Sequence, residues 1–319
     1  MIDALATQTA KYLEAVRRGV DDRLYDVGAQ FGDPRLKEEC GVFGVTGTVG
    51  AGALTALGLH ALQHRGQEAV GIVSVDGEKF HSERHLGLVS DHFSDEQTVK
   101  RLKGTSAIGH TRYPTQGDTV LRNVQPLYAD LDRYGIAVAH NGNITNNRHL
   151  RRELVQRGCI FQSTSDSELF LQLTARSQHL RVVDKLIDAL KQIEGAYAIV
   201  VLTPSFLIGA RDPVGIRPLI LGDLDGKPIL CSETCALDMI SARFVREIAP
   251  GEVVVCHPSG KIESIQAFPR PPKARPCIFE LIYFARPNSM IDGRSVYAIR
   301  KRLGEQLARE APCDADLVS

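Results

Sequence analysis

Between Cys40 and about Phe268 the chain passes through a series of short apolar runs rich in Val and Ile. Toward the end of that region one strand-like run follows another with no helix between them. A doubly wound parallel sheet needs a crossover helix between neighbouring strands, so this order predicts antiparallel sheets with helices packed outside. The expected strands are 41–45, 71–75, 106–110, 136–140, 196–202, 229–232 and 252–256, each bounded by turn formers. Helices are expected between some of them. Leu54, Leu57, His60 and Ala61 line one face of the first, which ends near Gly66. Leu150 and Leu154 mark a second, with Asn147 as its cap, and Leu169, Phe170 and Leu173 a third, with Asp166 as its cap.

The flanks read differently. In 1–39, Leu5, Tyr12, Leu13, Val16 and Val20 recur at helical spacing, then Gly28, Gly32 and Pro34 break the pattern. Nothing there reads as core, and the segment is expected to be a leader. Residues 269–276 form a proline-rich linker between the 40–268 domain and 277–319. That last segment carries an amphipathic helix with Val296, Ile299, Leu303 and Leu307 on one face, which reads as the opening of a second, truncated domain.

Composition excludes several classes of function. Lysine plus arginine equals aspartate plus glutamate at 38 each, so no net field draws the chain to nucleic acid or a membrane. The strongest apolar run, 196–202, falls far short of the roughly 18 residues a span needs. The N-terminus has no apolar signal core, and its acids argue against an organellar transit peptide. Seven scattered cysteines suggest no disulfide framework but a reducing, cytoplasmic setting. Gly50 and Gly52 lack the third glycine of a dinucleotide fingerprint, since Thr55 stands there. Cys231 and Cys235 have no second pair to complete a zinc site.

Cys40 stands where the acidic leader meets a glycine-punctuated strand. On position alone it is a small buried hydrophobe. As a nucleophile it needs a base, because a cysteine thiol with an ordinary pKa of about 8.5 is mostly protonated at neutral pH. Cleavage before Cys40 creates an α-amine on the same residue that can serve as that base. Asn141 and Gly142 taken alone predict a turn.

Five motifs then appear in order along 40–268: CGVFG at Cys40, QHRGQE at Gln63, GHTRYPT at Gly109, HNGN at His140 and STSDSE at Ser163. Together they resemble the glutaminase domain of the N-terminal-nucleophile amidotransferases. QHRGQ, RDPVGIRPL at Arg211 and YFARPNS at Tyr283 resemble the purine amidotransferases more than glucosamine-6-phosphate synthase or asparagine synthetase. The resemblance implies a four-layer α/β/β/α sandwich, followed by the start of a phosphoribosyltransferase-type domain. It implies glutamine hydrolysis by Cys40, with an oxyanion hole from the Asn141 side chain and the Gly142 N–H. Glutamine also presents a carboxylate and an ammonium. Arg112, at the end of its strand, is the implied grip for the first, against a plain reading as a surface ion pair. Asp166 is the implied receiver of the second, beside its reading as a helix cap. Thr115 falls within GHTRYPT on the substrate side. Arg65 lies near the nucleophile, either orienting it or supporting the wall, and His110 and His140 are read as structural.

The resemblance implies no cofactor for the glutaminase half. The full-length family member passes ammonia to phosphoribosyl pyrophosphate with Mg²⁺, giving phosphoribosylamine, and is expected to be a homo-oligomer. In one subclass a cysteine at the place of Cys277 ligates a four-iron cluster whose other ligands would lie beyond Ser319. The phosphoribosyl-binding loop is missing, so 277–319 is expected to leave only glutaminase activity. Two alternatives stand beside this reading: a sister amidotransferase with another acceptor, and a non-catalytic glutamine-binding fragment in which Cys40 stays internal.

Overall fold

The computed structural model describes residues 7–14, 40–113, 120–271 and 273–314. In chain order the strands are β1 Gly41–Val45, β2 Ala69–Asp76, β3 Lys79–Leu86, β4 Ser106–Arg112, β5 Leu127–Asp130, β6 Gly135–Ile144 and β7 Gly195–Leu202. They continue as β8 Leu207–Arg211, β9 Ile220–Leu224, β10 Lys227–Cys231, β11 Arg243–Glu247, β12 Glu252–Cys256 and β13 Ile262–Gln266. One sheet runs β11-β9-β10-β1-β4-β2-β3 and the other β13-β12-β8-β7-β6-β5. Neighbours within both sheets pair antiparallel, as the scarcity of crossover helices requires.

The period-2 alternation of each strand decides which residues fill which layer. Val42, Ile108, Ala139, Val200 and Val254 meet between the sheets. Their chain neighbours Phe43 and Ala107 turn the other way, against the helix Ala51–Ala61 and the short helix Cys235–Met239. On the far side Ile199 and Val201 pack under the helices Asn147–Gln156, Glu168–Arg176 and Val182–Leu190. The result is the expected four-layer α/β/β/α sandwich. β1 is buried along its whole length because both its faces are covered. Gly44 lets the sheets approach: a Cβ there would lie 2.7 Å from Val200 Cγ1 and 2.8 Å from Leu207 Cδ1.

Three expectations change. Residues 7–14 of the anticipated leader are helical, and Leu13 is fully buried in the layer beside Phe43, with Tyr12 packed edge-on to His60. An apolar stripe at helical spacing has to be covered, and the helix Ala51–Ala61 covers it. The remainder of 1–39 lies outside the described residues. The proline-rich 269–276 does not end contact with the body either. Arg275 N–H donates to Val214 O at 2.9 Å and Cys277 N–H to Ile216 O at 3.2 Å, and Glu280 is buried. Separation is seen further on, in the helix Val296–Glu310, where Val296 is buried but Leu303 and Leu307 are exposed. Finally, Asn141 and Gly142 form no turn but continue β6, paired with Ala198 and Tyr197 of β7. A strand partner on β7 supplies the backbone hydrogen bonds that a turn would otherwise close.

Candidate active site

Cys40 immediately precedes β1, whose Gly41 pairs with Thr111 of β4, so Cys40 comes to lie beside Arg112 and Tyr113. It is buried, and its thiol donates to Tyr113 O at 3.4 Å. Arg112 is the last residue of β4 and is buried, not the surface residue of the plain reading. Its Nη1 donates to the carbonyl of Asn123.

Asn123 links that arginine to the loop carrying Asp166. Its side-chain Nδ2 donates to Thr164 Oγ1 at 2.8 Å and its Oδ1 accepts from Thr164 N–H at 2.9 Å. The same loop is drawn together by Glu168, which accepts from Gln162 N–H, Ser163 N–H and the Ser163 hydroxyl at 2.6–2.8 Å. Asp166 does not cap the following helix, whose N-cap is Ser167. Its carboxylate instead accepts from Ile144 N–H of β6 at 3.0 Å, which holds it beside the strand that carries Asn141. A backbone donor on a neighbouring strand outcompetes the cap because the loop folds back over β6. Asn147 likewise begins its helix, with Asn146 as the cap position.

β6 faces β4 across the sandwich, and the histidines tie the two. His110 Nε2 lies 3.0 Å from His140 O. Gln125 Oε1 accepts from His140 N–H at 2.8 Å. Burial, with Arg112 beside it, lowers the His110 pKa to about 3, and burial lowers that of His140 as well, so both rings are neutral near pH 7. Asn141 follows directly. It is fully buried, and neither Oδ1 nor Nδ2 has a hydrogen-bond partner among the described residues. Most buried side-chain polar groups in native proteins are paired, so this amide has hydrogen-bonding capacity to spare. Gly142 has φ 149°, and a Cβ there would meet Ala196 O at 2.0 Å, so only glycine fits.

The fold thus gathers Cys40, Arg112, Asn141, Gly142 and Asp166 at one end of the sandwich. Arg65 sits behind Cys40 rather than beside these groups: its Nε donates to Cys40 O at 3.1 Å, and its other donors go to Glu233 and Glu280. It is fully buried, and Nε, Nη1 and Nη2 each donate to a carbonyl or carboxylate of the protein. Thr115 lies outside the described residues. Cys277 is half-buried, and among the described residues no three His, Cys, Asp or Glu side chains converge to hold a metal. A four-iron cluster takes four ligands, so the described residues do not make that site. Asn123, Gln125, Glu233 and Glu280 belong to the assembly and carried no motif signal. Among the described residues no helix is long and apolar enough to cross a membrane.

Known proteins resemble this chain in sequence and fold. Residues 110–239 match the family model described as a glutamine amidotransferase domain. The amidophosphoribosyltransferase of Rhizobium etli is 57% identical over 286 residues, 89% of this chain and 58% of that protein. That of Bacillus subtilis is 41% identical over 285 residues, 89% of this chain and 59% of that protein. The solved structure of the B. subtilis glutamine phosphoribosylpyrophosphate amidotransferase, complexed with ADP and GMP, superposes with a TM-score of 0.80 at 40% identity. It covers 87% of this chain and 60% of that one. A structure described as the allosteric regulatory enzyme of purine biosynthesis gives a TM-score of 0.82 at 40% identity, covering 87% and 59%. The chain spans less than two thirds of the length of these relatives.

Proposed function

We propose that, over the span it shares with them, this chain is the glutamine-hydrolysing part of an amidophosphoribosyltransferase and that Cys40 is its nucleophile. The observation that carries this reading is the buried, unpartnered amide of Asn141 next to Gly142, on the strand facing Cys40 and Arg112. A donor held in place before the reaction suits an oxyanion, since it costs no reorganisation when the charge develops.

In the proposed mechanism the thiol of Cys40 attacks the side-chain amide carbon of glutamine and its proton passes to the α-amine of the same residue, freed by removal of 1–39. The tetrahedral oxyanion is held by the Asn141 side chain and the Gly142 N–H. Collapse breaks the C–N bond, the departing nitrogen takes the proton, and ammonia leaves a γ-glutamyl thioester. Water then adds to the thioester and releases glutamate and the free thiol. Arg112 grips the α-carboxylate and Asp166 the α-ammonium, a pairing supported by the Asn123–Thr164 link between their loops. Arg65 supports the wall behind Cys40.

In the complete enzyme, by analogy with its relatives, the ammonia converts phosphoribosyl pyrophosphate to phosphoribosylamine for purine synthesis, with Mg²⁺ and in some members a four-iron cluster in the second domain. The 319-residue chain is proposed to perform the glutaminase half. Ammonia release from glutamine tests this. Cys40→Ala should abolish it, and Arg112→Ala should raise KM for glutamine at least about tenfold with kcat less affected, the pattern of lost uniform binding. A wild-type KM in Arg112→Ala would make Arg112 a scaffold residue.

A further inference from the structure

Arg65 lies on the 3-10 turn after the helix Ala51–Ala61 and is fully buried. One guanidinium there meets two carboxylates. Its Nη1 donates to Glu233 at 2.5 Å and to Glu280 at 2.9 Å, and its Nη2 to Glu280 at 2.7 Å. Glu280 comes from beyond the proline-rich stretch, far along the chain from Arg65. The excess negative charge is itself offset: Glu233 is met by His64 Nε2 at 2.8 Å, by the Ser289 hydroxyl at 2.7 Å and by Arg286 N–H at 2.9 Å. Burying so many charges is rarely a net gain in stability when an apolar cluster of the same volume would serve. What the network does achieve is to aim one donor. With both Nη groups pinned, Nε is directed at the carbonyl of Cys40, 3.1 Å away. That carbonyl is bonded to the Cα from which both the thiol and the amine of Cys40 extend. Fixing its plane anchors the Cα about which both of them turn.

Resting on the glutaminase reading above, we propose that Glu280 is a positioning residue for Cys40, acting with Glu233 through Arg65. The segment beyond the proline-rich stretch thereby completes the support of the nucleophile. Glu280 touches neither substrate nor the reacting atoms, so its removal should misplace the thiol without weakening glutamine binding.

The test uses the full chain and two readouts, ammonia release and the rate at which iodoacetamide alkylates Cys40. In Glu280→Ala kcat should fall about 10- to 100-fold, the scale of a misplaced nucleophile, with KM for glutamine within about twofold. The alkylation rate should fall alongside it. Glu280→Gln, which keeps an acceptor for Arg65, should lie between Glu280→Ala and wild type. Because Glu280 acts through Arg65, Arg65→Lys combined with Glu280→Ala should be no slower than the slower single variant. An unchanged kcat and alkylation rate in Glu280→Ala would overturn the proposal, as would a KM change as large as the kcat change. Loss of folded protein in both Glu280 variants, read by circular dichroism, would overturn it in favour of a purely structural role. If the wild-type chain releases no ammonia, the glutaminase reading fails on its own, and the alkylation rates still decide the positioning.

Discussion

The amide of Asn141 is buried with no partner on either polar atom among the described residues, and an unsatisfied buried polar group of this kind typically costs about 1–3 kcal/mol. An alanine at this position would not carry that cost. Asn141→Ala should therefore leave thermal stability unchanged or slightly higher while kcat for glutamine falls about 10²–10³-fold, the usual worth of one oxyanion donor. A melting curve beside a kinetic assay separates the two effects. His110 makes a prediction of the opposite kind. Its pKa is lowered from 6.5 to about 3 by burial and by Arg112, so below pH 6.5 the unfolded chain binds a proton that the folded one refuses. Its contribution to stability is complete above 6.5 and is lost as pH falls toward 3. Unfolding measured against pH over that window should lose about one proton of slope in His110→Gln. At this scale the sequence was only partly legible. The motifs pointed to Cys40, Arg112, Asn141 and Asp166, but Asn-Gly read as a turn because its strand partner lies on β7, remote in sequence. Asp166 read as a cap because the competing donor, Ile144 N–H, is remote as well.

Among the elements, two strands buried on both faces were read to the residue. β1 and β12 are buried throughout and keep their expected bounds. β3, β11 and β13 were missed, since they lie at sheet edges where KFHSERHL, RFVRE and IESIQ are largely solvated and show no clean apolar alternation. The short strands β5, β8 and β9 were missed too, β8 although it is buried throughout. The segment after the proline-rich stretch was assigned to a separate domain because proline runs often mark boundaries. Its attachment depends on Glu280 and Ser289 meeting Arg65 and Glu233, pairings that no local pattern encodes. Burial raises the cost of the Glu233 charge, yet Arg65 and His64 hold its carboxyl well below the usual range. Arg65→Ala would leave two buried carboxylates without their shared cation. Removing one member of a buried ion pair typically costs about 3–5 kcal/mol, so chemical denaturation should show a loss of that size. A change under about 1 kcal/mol, the ordinary scale of an exposed pair, would mean that water reaches the network.

At the scale of the whole molecule, the four-layer sandwich brings the ends of β1, β4 and β6 together and so builds the site. Leu13 packs on its outer helix layer, and the helix Val296–Glu310 extends from its other terminus with Leu303 and Leu307 uncovered. The order of strands made this architecture legible as antiparallel and layered, while the pairing order of the sheets came only with the structure. The central claim is that Cys40 at a freed N-terminus is the glutamine nucleophile. Its most direct test is intact-mass and peptide mapping after exposure to 6-diazo-5-oxo-L-norleucine, an electrophilic mimic of glutamine. The account predicts a single adduct, on Cys40, in chains that have lost residues 1–39, with excess glutamine protecting. Labelling that falls instead on Cys159, Cys277 or Cys313, or that reaches Cys40 equally well in chains retaining 1–39, would contradict it.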